Sequence, residues 1–196
     1  GNTFDATGDE TSWGNPKTTK EMIDAIAAAG FKSIRIPITW DHRMGDASDY
    51  MIDPDFLSRI KEVVDWSLDA GLYVMLNMHH DSWLWVYQMG MEYDEVLARY
   101  KATWQQISEY FKDYPKELMF EIINEPFFEG DILDDFELLN ELNASFYNIV
   151  RESGSNNVTR PLVLPTLSTS SEQRHLDELS DTIANLDDDN IIVTVH

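Results

Sequence analysis

The chain of 196 residues contains no cysteine. This absence excludes a disulfide framework and a thiolate metal site, and it leaves the redox compartment open. The sequence also lacks a run of about 18 apolar residues, the minimum that would predict a membrane span. Its first residues show no basic and apolar leader of the kind that predicts a signal peptide. We therefore expect no membrane partner and no cysteine-bound metal.

Basic residues are scarce as well, because Lys and Arg number 14 against 36 Asp and Glu, and the formal net charge is −22. Such a charge repels phosphate backbones and anionic lipid surfaces, so we expect no nucleic-acid partner and no membrane-surface partner. A neutral polymer such as a polysaccharide remains an acceptable ligand, since stacking and hydrogen bonds recognise it. Hydrophobic residues at 43% suffice for one packed domain over residues 1–196.

Amphipathic helices alternate with short apolar runs along the chain. Thr18 followed by Glu21 predicts a capping box at the first helix, and Asp53 before Pro54 predicts the start of the second. Pro37 is expected near the end of its strand or at a bulge, since proline is unusual in a central strand. The apolar runs predict strands at 33–40, 72–78, 117–123, 161–166 and 191–195, with longer helices near 92–113 and 171–186.

The strand starts lie about 30 to 46 residues apart, which leaves room for a helical crossover and predicts a parallel sheet. Two folds of the α/β class fit this pattern: an open doubly wound sheet and a closed (β/α)8 TIM barrel. No Gly-x-Gly-x-x-Gly turn follows any strand, which weighs against a dinucleotide-binding open sheet. The barrel is favoured by the polar residues that follow the strands.

Catalytic residues of a barrel lie at the carboxyl ends of its strands. Glu125 follows one apolar run directly after Asn124, and a partly desolvated carboxyl there suits a general acid because burial raises its pKa. Asn124 can donate a hydrogen bond to a sugar 2-hydroxyl. Taken alone, Asn-Glu-Pro is also the polar turn that closes many strands. The residues at neighbouring strand ends favour the catalytic interpretation, namely Arg35, Trp40, Asn77, His79, His80, Asp81 and His196.

His79 and His80 are adjacent, so in an extended strand only one of them faces the barrel axis and a chelating pair is disfavoured. We interpret His79 as a group that positions the substrate and His80 as a loop or supporting residue. The alternative for either one is a buried histidine satisfied by the backbone. Arg35 is expected to meet a carboxylate, because an unpaired cation among barrel strands is costly. That pair is either structural or orients a catalytic carboxylate.

Aromatic residues cluster in the segments after the strands, and sugar rings stack on such side chains. We expect about half of them to contact substrate and the rest to pack loops onto the barrel. The set comprises Trp13, Trp40, Trp83, Trp85, Tyr87, Phe127 and Phe128.

An ordered set of motifs resembles glycoside hydrolase family 5, most closely its bacterial endoglucanase and xyloglucanase branch. The motifs are Gly1-Asn-Thr-Phe-Asp-Ala, Glu10-Thr-Ser-Trp-Gly-Asn-Pro16, Ile34-Arg-Ile-Pro-Ile-Thr-Trp40, His79-His80, Asn124-Glu125-Pro126 and Val193-Thr-Val-His196, and the similarity spans the whole chain.

The resemblance implies a secreted, retaining β-1,4-glucanase without metal or cofactor, in which Glu125 is the acid/base. It implies that Asn124, Arg35, His79, His80 and His196 belong to the active site. Four further residues match family positions near the substrate cleft, namely Trp13, Asn15, Trp40 and Asn2.

The resemblance also implies that this chain corresponds to strands one to six of the barrel. The family's first strand begins a few residues before Gly1. The strand that carries the nucleophilic glutamate would follow His196, and the carboxyl of that glutamate would lie about 5 to 5.5 Å from the acid/base carboxyl. An unclosed barrel exposes edge strands. We therefore expect the C-terminal remainder of the barrel as a partner, present as a second chain or as a divided part of the same protein.

Two other functions compete with the glucanase. One is a metal-dependent barrel hydrolase that uses His42, His79, His80, His175 and His196, although no His-x-His pair lies on a strand. The other is a non-catalytic carbohydrate-binding barrel, which the missing nucleophile favours.

Overall fold

The computed structural model describes residues 2–196, and its centre is a sheet of five parallel strands hydrogen-bonded in chain order. The strands are β1 (Ser33–Ile36), β2 (Tyr73–Asn77), β3 (Leu118–Glu121), β4 (Leu162–Pro165) and β5 (Ile191–Thr194). The helices are α1 (Lys20–Ala28), α2 (Pro54–Asp69), α3 (Asp81–Leu84), α4 (Tyr93–Phe111), α5 (Asp135–Glu152) and α6 (Gln173–Leu186). Short 3-10 turns span Asp41–Arg43, Val86–Met89, Ser155–Val158 and Leu167–Thr169.

The strand order decides between the two α/β folds. In a doubly wound sheet the order reverses at a switch point, whereas here each strand pairs with the next one along the chain. Successive right-handed crossovers in one direction place their helices on the same face of the sheet, as in a barrel wall. The predicted parallel α/β class is confirmed, and the arrangement is that of part of a (β/α)8 barrel.

Among residues 2–196 the structure contains five strands, which correspond to the later strands of the six expected. The strand expected to begin before Gly1 lies outside the described residues, and residues 3–8 form turns and bends. This segment is polar and rich in turn-forming residues, which favour local hydrogen bonds over a ladder. It nevertheless lies against the end of β1, where Thr39 donates its backbone N–H to the Phe4 carbonyl and its hydroxyl to the Asp5 carbonyl.

The helix starts follow the sequence signals closely. Asp53 caps α2 by accepting hydrogen bonds from the backbone N–H groups of Asp55 and Phe56, with Pro54 in the first helical position as predicted. The predicted cap of α1 was wrong by one residue, since Thr19 rather than Thr18 accepts the bond from the Met22 N–H. Pro37 follows directly after the last residue of β1, which agrees with its predicted place near the strand end.

The core lies between the sheet and the helices. All residues of β3 and β4 are buried, and on the helix side Trp104 of α4 contacts the rings of Phe120 and Phe146 at 5.8 and 4.5 Å between centroids. Burial of each such large apolar side chain contributes about 1.5–3 kcal/mol. In the part of the chain that the structure describes, every helix is too short or too polar to cross a bilayer. Because all strands run the same way, the segments that follow them meet at one end of the sheet.

Candidate active site

Arg35 on β1 meets a carboxylate, as predicted, and the carboxylate is Glu121 at the end of β3. The guanidinium donates from Nε to Glu121 Oε2 at 2.6 Å and from Nη2 to Oε1 at 2.9 Å. Glu121 is 1% exposed, so this two-pronged pair is a buried anchor for the arginine. The sequence did not identify Glu121 as a site residue, because a single carboxylate at the end of an apolar run is equally typical of a solvent-exposed strand end.

The same arginine fixes the orientation of Asn124. Arg35 Nη2 donates to Asn124 Oδ1 at 2.9 Å, which identifies the side-chain oxygen and leaves the Asn124 amide N–H groups as donors for another acceptor. Asn124 is anchored through its backbone too, because its N–H donates to the Met78 carbonyl at 2.8 Å. The hydrogen bonds from Arg35 to Glu121 and to Asn124 thus set the orientation of the Asn124 amide, with its N–H groups pointing away from the protein.

Loss of the Glu121 charge tests this anchor. We expect Glu121→Gln to lower the free energy of unfolding by about 1.5–3 kcal/mol, the range for hydrogen bonds to charged groups, because one oxygen of the pair becomes a donor facing Arg35. Urea denaturation of the complete protein measures it. Glu109→Gln is the matched control, since Glu109 pairs with Lys112 on an exposed helix surface and should cost less than about 0.5 kcal/mol. Equal costs for the two variants would contradict the anchor role.

Glu125 follows Asn124 with a left-handed backbone, at φ 45°. Its Oε1 lies 3.0 Å from His196 Nδ1, so the predicted acid/base and the histidine after β5 meet although they are 71 positions apart. The prediction that the Glu125 carboxyl is partly desolvated was wrong for the part of the protein that the structure describes, residues 2–196. Its side chain is 59% exposed, because it extends from the sheet end into open space on the side of His196.

His79 is neutral and its proton position is set by Asn77. Asn77 Oδ1 accepts from the Ile38 N–H at 3.0 Å, so its amide nitrogen faces His79 Nδ1 at 3.0 Å and donates to it. The proton of the ring is therefore on Nε2. Burial lowers the pKa of His79 to about 3, and the positive charge of Arg35 lowers it in the same direction.

This pKa predicts the behaviour of His79 in acid. Between about pH 3 and the ordinary value of 6.5, the unfolded chain takes up a proton that native His79 does not, so this residue makes stability rise with pH across that window. We expect the His79 ring resonances in NMR spectra to keep their neutral positions from pH 8 down to about pH 4. His79→Gln identifies the His79 resonances, because they are missing from its spectrum. A titration midpoint of these resonances near the ordinary pKa of 6.5 would contradict the lowered pKa.

The prediction that His79 and His80 point to opposite sides was wrong. β2 ends at Asn77, so strand alternation does not extend to these residues, and their ring centroids lie 4.6 Å apart. Both rings face Asp5, with His80 Nε2 at 3.3 Å and His79 Nε2 at 4.0 Å from its Oδ2. Asp5 is fully buried and also accepts from Asn2 Nδ2 at 2.9 Å. Asp5 was not among the predicted site residues, although it lies in the Asn-Thr-Phe-Asp motif.

Asp5, His79 and His80 form a group with metal-ligating atoms, which lie within 4.8 Å of one another. The hydrogen bonds disfavour a cation there. His80 Nδ1 accepts from Trp83 Nε1 at 2.8 Å, and His79 Nδ1 accepts from Asn77, so each neutral ring carries its proton on the nitrogen that faces Asp5. A protonated nitrogen has no lone pair for a metal.

The other histidines of the metal hypothesis lie apart from this group. His42 Nε2 contacts the Gly8 carbonyl at 3.0 Å, and His175 Nδ1 contacts the Leu167 carbonyl at 2.8 Å. Within residues 2–196, the five histidines therefore do not form one cluster.

The aromatic residues that follow the strands divide between surface and core, and the expected place of Trp40 near the substrate cleft was wrong. Trp40 is fully buried, donates from Nε1 to the Asn77 carbonyl and packs against Phe56, so its ring cannot stack on a sugar. Asp81, itself buried, accepts from the Trp40 N–H and from Trp85 Nε1, and burial raises its pKa to about 6. Trp85 and Phe128 are buried too, whereas Trp13, Trp83 and Phe127 are exposed and Tyr87 is half-buried.

The two predicted asparagines lie beside Arg35. Asn15 donates from Nδ2 to the Asn2 carbonyl at 2.5 Å, and Asn2, Asn15 and Arg35 line one cavity of about 210 Å³. Trp13 lies close by, with its ring 6.4 Å from that of His80. The structure thus brings together the predicted residues other than Trp40 at one end of the sheet, as donors, carboxylates and exposed rings.

Comparisons with known proteins agree with this arrangement. The chain is 54% identical to Endoglucanase B of Paenibacillus lautus over 202 residues, covering all of this chain and 36% of that protein. It superposes with a TM-score of 0.97 on the full-length tri-modular endo-β-1,4-glucanase B from Bacillus halodurans, at 55% identity over 100% of this chain and 38% of that one. A tri-modular endo-β-1,4-glucanase from Bacillus licheniformis complexed with cellotetraose gives 0.88 at 42% identity, over 100% and 36%.

The chain thus spans little more than a third of the length of these relatives. The family model described as cellulase (glycosyl hydrolase family 5) matches residues 1–196, the whole sequence. The resemblance noted from the motifs is confirmed, and the chain belongs to glycosyl hydrolase family 5.

Proposed function

We propose that the complete protein that contains this chain is a retaining endo-β-1,4-glucanase in which Glu125 is the acid/base. One observation carries the proposal. Asn124, whose amide orientation is fixed by Arg35, stands directly beside a carboxyl that is paired with His196. An amide donor next to a proton-donating carboxyl is what glycoside hydrolysis needs at the scissile bond.

Each group then has a defined role. Asn124 Nδ2 donates to the 2-hydroxyl of the sugar, a bond that strengthens as positive charge develops on the ring. Glu125 protonates the leaving oxygen and later removes a proton from water. His196 orients the Glu125 carboxyl through the 3.0 Å contact. Neutral His79 presents an N–H on Nε2 and adds no positive charge.

The nucleophile in this proposal is a glutamate on a later strand of the same barrel, about 5 to 5.5 Å from Glu125. The open sheet edges support a C-terminal remainder of the barrel as a partner of this chain. Among the residues that the structure describes, β1 and β5 each pair on one side only, and Ile192, Val193 and Val195 are 41 to 46% exposed. Intact-mass spectrometry of the native protein distinguishes a continuous chain from two fragments. A single species with the mass of this chain alone would contradict the proposed remainder.

We propose a β-1,4-glucan as substrate, namely cellulose, xyloglucan or mixed-linkage glucan. Support comes from the Bacillus licheniformis relative, which is complexed with cellotetraose. The exposed rings of Trp13 and Trp83 beside His80 offer flat apolar faces for such a chain. Because these polymers do not enter cells, we also propose that the complete protein is secreted. Recovery of the activity only from cell lysate would contradict secretion.

The test is release of reducing ends from a polysaccharide panel by the complete protein, with the anomer of the product followed by NMR. We expect cleavage of at least one glucan with β-anomer formed first, and no effect of a chelator. Binding of cello-oligosaccharides without cleavage would favour the carbohydrate-binding alternative. An α-anomer product would overturn the retaining mechanism, and loss of activity on chelation would favour the metal hydrolase.

A further inference from the structure

Two loops cross beside the proposed acid/base. The first loop (residues 78–92) follows β2, and the second loop (residues 122–134) follows β3. The Glu129 N–H of the second loop donates to the Tyr87 carbonyl of the first at 2.8 Å, and the Ile132 N–H donates to the Gly90 carbonyl at 3.2 Å. Between these bonds Gly90 and Gly130 form an isolated parallel bridge, which we name the glycine crossing.

The glycine crossing has no space for a side chain. A Cβ on Gly130 would overlap the Gly90 carbonyl, and a Cβ on Gly90 would overlap the Glu129 carbonyl. Both obstacles are backbone atoms, so a rotamer change cannot relieve the overlap. Gly130 also has φ +108°, a conformation that favours glycine. Close approach of the two loops therefore depends on these two residues.

An aromatic pair extends the same contact towards Glu125. The rings of Tyr87 in the first loop and Phe127 in the second are stacked, with centroids 5.9 Å apart and an interplanar angle of 21°. Phe127 is two residues beyond Glu125. The glycine crossing and this ring pair together hold the part of the second loop that follows Glu125 against the first loop.

The backbone of Glu125 needs such support. A non-glycine residue at φ 45° is in a sparsely populated region and persists only where the surroundings determine it. Asn124 is bonded to Met78 of the first loop, and the Pro126 carbonyl accepts from the Ser168 N–H at 2.7 Å. The segment is thus fixed before and after Glu125, and the glycine crossing fixes the path of the chain that follows.

We propose that Gly90 and Gly130 are positioning residues for the general acid: the glycine crossing holds the second loop so that the Glu125 carboxyl faces the leaving oxygen. The inference rests on the proposed function, because it assigns the device to Glu125 as the proton donor. A general acid must lie within hydrogen-bond reach of the atom it protonates, so a small displacement of this loop reduces proton transfer more than substrate binding.

The experiment uses Gly130→Ala in the complete protein, with kcat/KM for two kinds of cello-oligosaccharide. Unsubstituted oligosaccharides have a poor leaving group and need the acid, whereas dinitrophenyl glycosides have a good one and do not. We expect Gly130→Ala to lower kcat/KM by about tenfold or more for the unsubstituted oligosaccharides and by less than about threefold for the dinitrophenyl glycosides. Gly71→Ala is the control, since Gly71 has φ +79° but open space around its Cβ and precedes β2 at the opposite end of the sheet.

A second variant covers the case in which Gly130→Ala does not fold. Tyr87→Leu removes the stacked ring without a backbone clash, and we expect the same preference for the good leaving group at a smaller size. Equal losses on both substrates, or no loss in either variant while Glu125→Gln is impaired, would overturn the positioning role. If Glu125→Gln itself shows no dependence on the leaving group, the proposed function fails first and the positioning role fails with it.

Discussion

Glutamine in place of Glu125 should lower kcat/KM for unsubstituted cello-oligosaccharides by about 10² to 10⁴-fold, the usual contribution of a general acid. The amide keeps the size of the side chain and its ability to contact His196 Nδ1, which lies 3.0 Å from Oε1, but it cannot protonate a leaving oxygen. The loss should be much smaller for dinitrophenyl glycosides, because their leaving group departs without a proton.

Two measurements make this result specific. Initial rates on a series of aryl glycosides should show a steeper dependence on leaving-group pKa in Glu125→Gln than in the parent protein. Glu152→Gln is the matched control, because Glu152 is an exposed glutamate at the end of α5 and should leave the rates within about twofold. Unchanged activity of Glu125→Gln on the unsubstituted substrates would remove Glu125 from its proposed role.

Methionine in place of Arg160 should cost about 3 kcal/mol or more of unfolding free energy. Arg160 is fully buried before β4 and forms no ion pair within residues 2–196. Its guanidinium instead donates to one side-chain oxygen and to backbone carbonyls at 2.5 to 2.9 Å, namely Asn157 Oδ1 and the carbonyls of Phe111, Tyr114, Pro115 and Leu118.

The expected cost follows from the position of these carbonyls. Phe111 ends α4, and the last carbonyls of a helix have no partner within it and carry partial negative charge. Three of these carbonyls also accept a second bond, Phe111 from the Tyr114 N–H, Pro115 from the Leu118 N–H and Tyr114 from the Asn156 amide. Removal of Arg160 still takes away five charge-assisted hydrogen bonds in a buried region at once. Burial lowers the pKa of Arg160 to about 10, with a further contribution from Arg151, so the side chain stays charged at neutral pH.

Urea denaturation of the complete protein measures the effect. Arg174→Met is the control, because Arg174 is exposed and its main contact is with the Phe136 ring at 4.7 Å, a cation-π interaction worth about 0.5–1 kcal/mol. Arg160→Lys keeps the charge but not the planar fork of donors, so it should recover only part of the loss. An Arg160→Met variant as stable as the control would show that water replaces the guanidinium without cost.

The sequence was most informative where a local signal has one physical meaning. Asp53 before Pro54 predicted the start of α2, and the spacing of apolar runs predicted parallel strands joined by helices. The Asn124-Glu125 pair at a strand end predicted the place where Arg35 and His196 also arrive. These inferences need only capping, periodicity and the shared direction of parallel strands.

The sequence was least informative where the fold turns a residue away from its expected side. Trp40 resembles a cleft residue in sequence, but Asp81 and Asn77 hold it in the core. His79 and His80 lie beyond the last residue of β2, so no alternation rule applies to them. Glu121 and the backbone carbonyls that accept from Arg160 lie about 40 to 90 positions from their partners, and a single sequence carries no signal for such pairs.

The hydrogen bonds that Asn77 and Trp83 donate to the two histidines have a consequence for the energetics of the proposed reaction. Solvent water must reorient around a developing charge, whereas these donors already hold each imidazole in one tautomer before any ligand arrives. The reorganisation energy of this part of the site is thus met during folding rather than in each catalytic cycle. In the proposed glucanase, a substitution at the buried Asn77 would then slow the reaction without removing a contact to the sugar.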